Sequence, residues 1–390
     1  MNLRRAALAV AGCAVLLMFA FPLLAQPEQW LQYHTSAEAQ AYQWIIPLTN
    51  QPPNLALPQL HGKPVFARWK TPMDKAGFRW ICLDRTTRRG LPNKLFIDSN
   101  GNGRLDDDPV VSGDISAYAA IFDPARVVFQ TEEGPVTYHV VVRCYQHDRV
   151  YISSACWYEG TVDFGGKKYL IKLVDSNVNG AFDDIGWDTA DTDRLILSPE
   201  KAAETDQSID RYLGRLVEVD GQLFKIEVAR DGAFVKVERA RDVKFGTVNV
   251  PETITEFAVA GPAGHFTRKP SNGSCTLPAG TYQILSWTIE RKDNKGAAWQ
   301  LVGDGFGTKG RFALGADESV RFDIGEPVLS ILDVTEPKSA KDPISVGLKL
   351  QGRLGESVTV LRNKQRPQPP KLCLASADGS YRKVSSFQFG

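Results

Sequence analysis

Asp98-Ser99-Asn100-Gly101-Asn102-Gly103-Arg104-Leu105-Asp106-Asp107-Asp108 follows the apolar run Lys94-Leu95-Phe96-Ile97. The chain repeats the phrase at Asp175-Ser176-Asn177-Val178-Asn179-Gly180-Ala181-Phe182-Asp183-Asp184, after Tyr169-Leu170-Ile171-Lys172-Leu173-Val174. Each copy opens on Asp, places Asn two and four residues later, then Gly, then an apolar residue two further on, then consecutive aspartates. The runs ahead of both copies read as strands, so the same acidic bend hangs twice from a strand end and the surrounding region reads as β-rich.

The spacing carries chemistry. A hard divalent cation takes about six to eight oxygens, and alternate side chains of a tightly wound loop all face its centre, so oxygen-bearing residues recur at first, third and fifth positions. Gly103 and Gly180 stand where the chain must turn sharply. On this pattern the ligands of a first calcium would be Asp98, Asn100, Asn102, the Arg104 carbonyl, Asp106 and Asp108. Those of a second would be Asp175, Asn177, Asn179, the Ala181 carbonyl, Asp183 and Asp184. Leu105 and Phe182 are predicted to pin the loops to a core. Asn in place of Asp at two positions removes negative charge, which predicts weak sites, on the order of 10⁻⁴ to 10⁻³ M.

The phrase resembles the EF-hand calcium-loop family. It departs from it at the twelfth position, where the family closes the shell with a bidentate Glu and this chain has Pro109 and Gly186. The strand before each loop replaces the entering helix, so the resemblance implies the ion site and not the opening of a helix pair. Asp188, Asp191 and Asp193 lie close enough downstream to supply a further ligand to the second loop. The competing reading of both phrases is an ordinary Asx-rich turn.

Met1-Asn2-Leu3-Arg4-Arg5 and the apolar run Ala6 to Ala25 have the form of a secretory signal peptide. Cleavage is expected after Ala25, with an uncleaved membrane anchor as the alternative; Val10-Ala11-Gly12-Cys13 only superficially resembles a lipoprotein box. An exported protein, whether periplasmic, at the cell surface or secreted, meets millimolar calcium. At a dissociation constant of ~0.1 mM that concentration stabilises a fold by about 1.4 kcal/mol per site.

Forty-six Lys and Arg against forty-five Asp and Glu leave a net charge of +1, with no basic footprint for nucleic acid. Membrane contact is expected only through the leader, and the partner classes that remain are a protein or a glycan. Beyond Cys13 the cysteines are Cys82, Cys144, Cys156, Cys275 and Cys373, with no C-x-x-C pair. Buried thiols are expected, with one long-range bridge conceivable between Cys275 and Cys373. Cys144 and Cys156, read as one hairpin, would fall on opposite faces.

Pattern and punctuation predict a mainly β, multi-domain chain of sandwich or barrel modules with calcium-type loops after strands and one or two short helices. After the leader, residues 26–61 read as a lead-in or linker, with a helical pattern from Ser36 to Ile46. Residues 62–242 form a β-rich domain carrying both loops, with a helix between Pro199 and Leu213. Residues 243–327 form a sandwich, and 328–390 a small β-domain or the second half of that sandwich. Leu277-Pro278-Ala279-Gly280-Thr281-Tyr282 resembles the prealbumin-like, carboxypeptidase-regulatory family of β-sandwiches, which implies a structural or binding role. Gly303 to Gly310 lacks phosphate-loop spacing and reads as a hairpin.

No G-x-S-x-G, H-E-x-x-H or Cys/His nucleophile spacing is present, and His34, His61, His139, His147 and His265 are scattered singly. The sequence therefore points to a non-enzymatic exported calcium-binding protein. The alternative is a secreted hydrolase, or its accessory subunit, with a site assembled from distant residues.

Overall fold

Alternation along the chain resolves into strands nearly everywhere, and among the described residues the only other regular elements are two short 3-10 turns, Thr189–Asp191 and Gly307–Gly310. The computed structural model describes residues 27–388 apart from 37–41, 88, 146–148, 200–207, 336–338 and 340–343. The leader expected over residues 1–25, Cys13 and the turn containing His147 and Asp148 lie outside the described residues.

The protein is mainly β and is built from several sheets. A ten-stranded sheet runs from Gln43–Ile45 through Arg149–Ser154, Gly134–Tyr145, Ala119–Phe122, Val111–Ile115, Lys94–Ile97, Phe78–Asp84 and Val65–Lys70 to Leu48–Thr49, with Ala125–Thr131 paired to Gly134–Tyr145. A five-stranded sheet orders Ile209–Tyr212, Arg194–Pro199, Lys168–Val174, Cys156–Asp163 and Gln32–Thr35. A twelve-stranded sheet carries Leu216–Val219, Gln222–Val228 and Phe234–Arg239 at one end and Leu329–Thr335 at the other.

Residues from all three sheets close one large core, in which Ile81, Val127, Phe129, Tyr138, Val140, Leu173, Phe182 and Val235 are buried. Strand Phe78–Asp84 is buried on both faces, because Ile81 and Leu83 enter that core while Trp80 and Cys82 join a satellite cluster with Phe66, Phe96 and Leu105. Leu105 and Phe182 thus tie the two acidic loops to apolar interior on their own sides of the fold. A separate core lies between the strands around Glu256–Gly261 and Gly280–Lys292 and a three-stranded sheet of Ser274–Pro278, Phe245–Asn249 and Ser319–Arg321. At its centre Trp287 is fully buried opposite Gly303, where any Cβ would stand 2.2 Å from the indole ring.

Several expectations are corrected. The lead-in at 26–61 contributes four short strands, Gln29–Trp30, Gln32–Thr35, Gln43–Ile45 and Leu48–Thr49, to three sheets. Strands of two to four residues are too short to show a period. The helical pattern of Ser36 to Ile46 ends in one of them, and its middle lies outside the described residues. The helix expected between Pro199 and Leu213 is strand at Ile209–Tyr212, where pairing with Arg194–Pro199 overrides local propensity; 200–207 lie outside the described residues. Gly303 to Gly310 is not a hairpin. Ala298–Asp304 and Arg311–Leu314 run in the same direction along one side of Gly280–Lys292, and the glycines interrupt a single line of pairing.

All five described cysteines are free, so no bridge joins Cys275 to Cys373. Cys144 and Cys156 do not share a hairpin either, because the chain leaves the ten-stranded sheet at Ala155 and Cys156 opens a strand of another sheet. At the C-terminal end Ser357–Arg362 pairs with Ala298–Asp304, which makes the last long strands an extension of the large sheet.

Candidate metal-binding loops

Lys94–Ile97 delivers Asp98 and Lys168–Val174 delivers Asp175, each buried at the mouth of its loop. Asp98 Oδ1 accepts the backbone N–H of Gly101 (2.8 Å) and Asn102 (3.1 Å), and Oδ2 that of Gly103 (3.0 Å). Asp175 Oδ1 accepts from Asn179 (3.2 Å) and Oδ2 from Gly180 (2.6 Å). At the fifth position Asn102 Oδ1 accepts the Arg104 N–H and Asn179 Oδ1 the Ala181 N–H, both at 2.8 Å. The amide NH₂ of the same residues donates to the tenth position, Asn102 to Asp107 Oδ2 (2.7 Å) and Asn179 to Asp184 Oδ2 (2.6 Å). The second residue's N–H donates to a buried carboxylate further along, Ser99 to Asp108 Oδ1 at the loop's end (3.0 Å) and Ser176 to Asp193 Oδ1 beyond it (3.2 Å). Sequence repetition has become repetition of a hydrogen-bond lattice, with Gly103 (φ 75°) and Gly180 (φ 93°) taking the left-handed turn in both.

What stands behind the lattice differs. Under the first loop lies the guanidinium of Arg79, 1% exposed, with Nε 2.7 Å from Asp74 Oδ2 and Nη1 3.9 Å from Asp98 Oδ1. Nη1 also donates to the Asp98 carbonyl and Nη2 to that of Val128, both at 2.8 Å. Under the second loop the hydroxyl of the fully buried Tyr138 donates to Asp175 Oδ2 at 2.8 Å, and no salt bridge among the described residues involves Asp175, Asp184 or Asp193. Asp193 also accepts the Asp184 N–H at 2.9 Å, so it staples the two ends of the loop.

Charge follows from these partners. Burial raises the Asp98 carboxyl above its ordinary range, while Arg79 and the three N–H groups pull it back. Asp175 is pushed up to about 7, by burial first and by Asp184 in addition. Asp193 stands well above the usual carboxylate range for the same reasons, burial and then the charges of Asp175 and Asp184. Three carboxyls converge at the second loop with hydrogen-bond donors but no counter-charge.

Not every predicted ligand joins its loop's centre. Asn100 is exposed and its Oδ1 accepts the Asn102 N–H at 3.0 Å. Asp106 is held by Arg104 at 2.6 Å, which turns it away from a shared ion. Asp108 is occupied by Ser99, through the N–H and the hydroxyl (2.6 Å), and its Oδ2 is buried without a partner. In the second loop Asn177 and Asn179 both aim their NH₂ at Asp184 Oδ2 (2.9 and 2.6 Å), the Asn177 Oδ1 is buried without a partner, and Asp183 is exposed. Asp188 caps the turn Thr189–Asp191 and lies 3.5 Å from Arg311, away from the loop.

Among the described residues no three carboxylates, imidazoles or thiols form a metal cage by themselves. A calcium shell would therefore rest on Asn oxygens and carbonyls as well as on Asp. The second loop fits that requirement better. A half-turn of the Asn177 amide would bring its partnerless Oδ1 to the place where NH₂ now meets Asp184, at no cost in other side-chain acceptor bonds. Arg79 and Tyr138, the groups that set the two loops apart, went unrecognised in the sequence. Arg79 did leave a trace as the one cation inside the apolar strand Phe78–Asp84.

Among the described residues the histidines gather no nucleophile. His139 Nδ1 meets the Tyr33 hydroxyl at 2.8 Å, and the neighbouring Cys156 thiol, pushed up to about 11 by burial, contacts the His139 carbonyl rather than its ring. His265 Nδ1 accepts the Tyr212 N–H at 3.2 Å, and burial lowers its imidazole to about 4. Compared with known proteins, the chain matches no family model, no curated protein and no solved structure.

Proposed function

We propose that this chain is an exported, non-enzymatic calcium-binding β protein with a binding or envelope-structural role, in which the ion braces strand-to-strand loops. The observation that carries the reading is the repeated lattice at Asp98 and Asp175, combined at the second loop with three carboxyls that no cation neutralises. Calcium would supply the missing positive charge there and hold the ends of Lys168–Val174 and Arg194–Pro199 together through Asp175, Asn177, Asn179 and Asp184, with Asp193 as the staple behind them. The first loop, already neutralised in part by Arg79, would bind more weakly. The acidic, oxygen-only donor set supports the same reading, since weak sites of this kind fill at extracellular calcium.

Thermal melts of the mature chain in millimolar calcium and in chelator test the reading, beside Asp175→Ala and Asp98→Ala. Calcium is expected to raise Tm by a few degrees, in line with about 1.4 kcal/mol at a site of ~0.1 mM affinity. Asp175→Ala removes most of the rise and Asp98→Ala less. A melting curve indifferent to calcium would reduce both loops to Asx turns.

A further inference from the structure

The last strands leave a trough. In strands Ser345–Gln351 and Ser357–Arg362, Val346, Leu348, Val358 and Val360 line one apolar sheet face. Facing it is the hairpin of Lys371–Ala375 and Arg382–Ser386, a two-stranded sheet of its own, with Leu372 and Leu374 turned into the gap. Packed sandwich sheets stand about 10 Å apart with interdigitated side chains. Here the two walls instead enclose a cleft of about 1090 Å³, at the upper end of ligand-pocket sizes.

Charge selects the occupant. Among the described residues, the charged side chains lining the cleft are Arg366 and Lys383, both basic. Lys383 stands directly across the hairpin from Leu374, so a positive head-group contact adjoins the apolar wall. We propose that the trough binds a monomeric single-chain amphiphile, its hydrocarbon chain between Leu348 and Leu374 and its anionic head at Lys383. The site is independent of the acidic loops, whose residues do not line it.

Trp299 lines the cleft and supplies the readout: brominated dodecanoate added to the full chain quenches its fluorescence, and Trp299→Phe removes that quenching. Competition by decanoate, dodecanoate and tetradecanoate should tighten about fifteenfold per two methylenes, from ~0.8 kcal/mol for each buried CH₂. Leu374→Asp, on an already exposed hairpin position, abolishes competition. Lys383→Glu weakens dodecanoate about fivefold while leaving dodecanol unchanged. Absence of saturable quenching, affinity independent of chain length, quenching by anionic vesicles alone, or a concentration-dependent dimer that excludes the probe would each overturn the proposal.

Discussion

The two acidic loops share a lattice of hydrogen bonds and differ in what stands beneath it. Asp98 rests near a buried guanidinium, whereas Asp175 rests on a phenol. A guanidinium balances a carboxylate permanently, while a hydroxyl stabilises it without neutralising it. The first loop therefore folds around a cation that the chain already owns. The second, with Asp184 and Asp193 close by, is left with negative charge that protons or a metal ion must offset. Motif spacing is identical in the two, so it is the residue below the loop, and not the loop itself, that sets how much negative charge is left without a cation.

The largest test removes that difference. Arg79→Met takes away the charge under the first loop and leaves Asp74 and Asp98 without their partner; loss of one member of a buried pair costs about 3–5 kcal/mol. The variant should be strongly destabilised in chelator, measured by urea unfolding, and calcium should recover part of the loss through Asp98. Recovery absent in calcium would mean that the first loop cannot use an ion even when it lacks Arg79.

Acidity gives the second test. In calcium-free protein Asp175 titrates at about 7 when folded, against 3.8 for the free side chain. Between those values the folded state holds a proton that the unfolded chain has lost, so stability falls as pH rises through this window and levels off above it. Melting temperature in chelator is expected to decline from about pH 4 to about pH 7. If the proposed site holds, calcium at the deprotonated carboxylates should cancel most of the decline. Asp175→Asn should flatten the profile more than Asp98→Asn, because Arg79 opposes the rise at Asp98. Equal flattening by the two variants would erase the distinction between the loops.

How much of this could be read beforehand depends on the range of the interactions. Strand Lys168–Val174 and the first, fifth and sixth positions of both loops are local patterns, and the sequence displays them. Gln29–Trp30 and Gln43–Ile45 are strands only because distant partners, Phe234–Arg239 and Arg149–Ser154, offer them edges. Tyr138 reaches Asp175 across 37 residues and Arg79 reaches the Asp98 carbonyl across 19, so neither belongs to the repeated phrase itself. At Asp106 a nearer interaction enters: Arg104, assigned only a carbonyl, pairs with its carboxylate through its own charge.

The smallest effect concerns the fourth position, Gly101 in one loop and Val178 in the other, with φ of 77° and 56°. A β-branched residue in left-handed backbone carries strain of about 1–3 kcal/mol. Val178 keeps that conformation because it is 1% exposed in the large core and its carbonyl accepts the Trp69 indole N–H at 2.6 Å. Val178→Gly relieves the strain but gives up about 1.5–3 kcal/mol of side-chain burial, and glycine adds roughly 0.5–1 kcal/mol of chain entropy. These terms nearly cancel, so the expected net loss is about 1 kcal/mol by urea unfolding. The reverse change has no such compensation. At Gly101 a Cβ would meet the Arg79 guanidinium at 2.7 Å in an exposed turn, so Gly101→Val incurs the strain, displaces the buried cation and gains no burial. If Val178→Gly proved as costly as Gly101→Val, packing around the second loop rather than charge beneath it would govern the difference between the two.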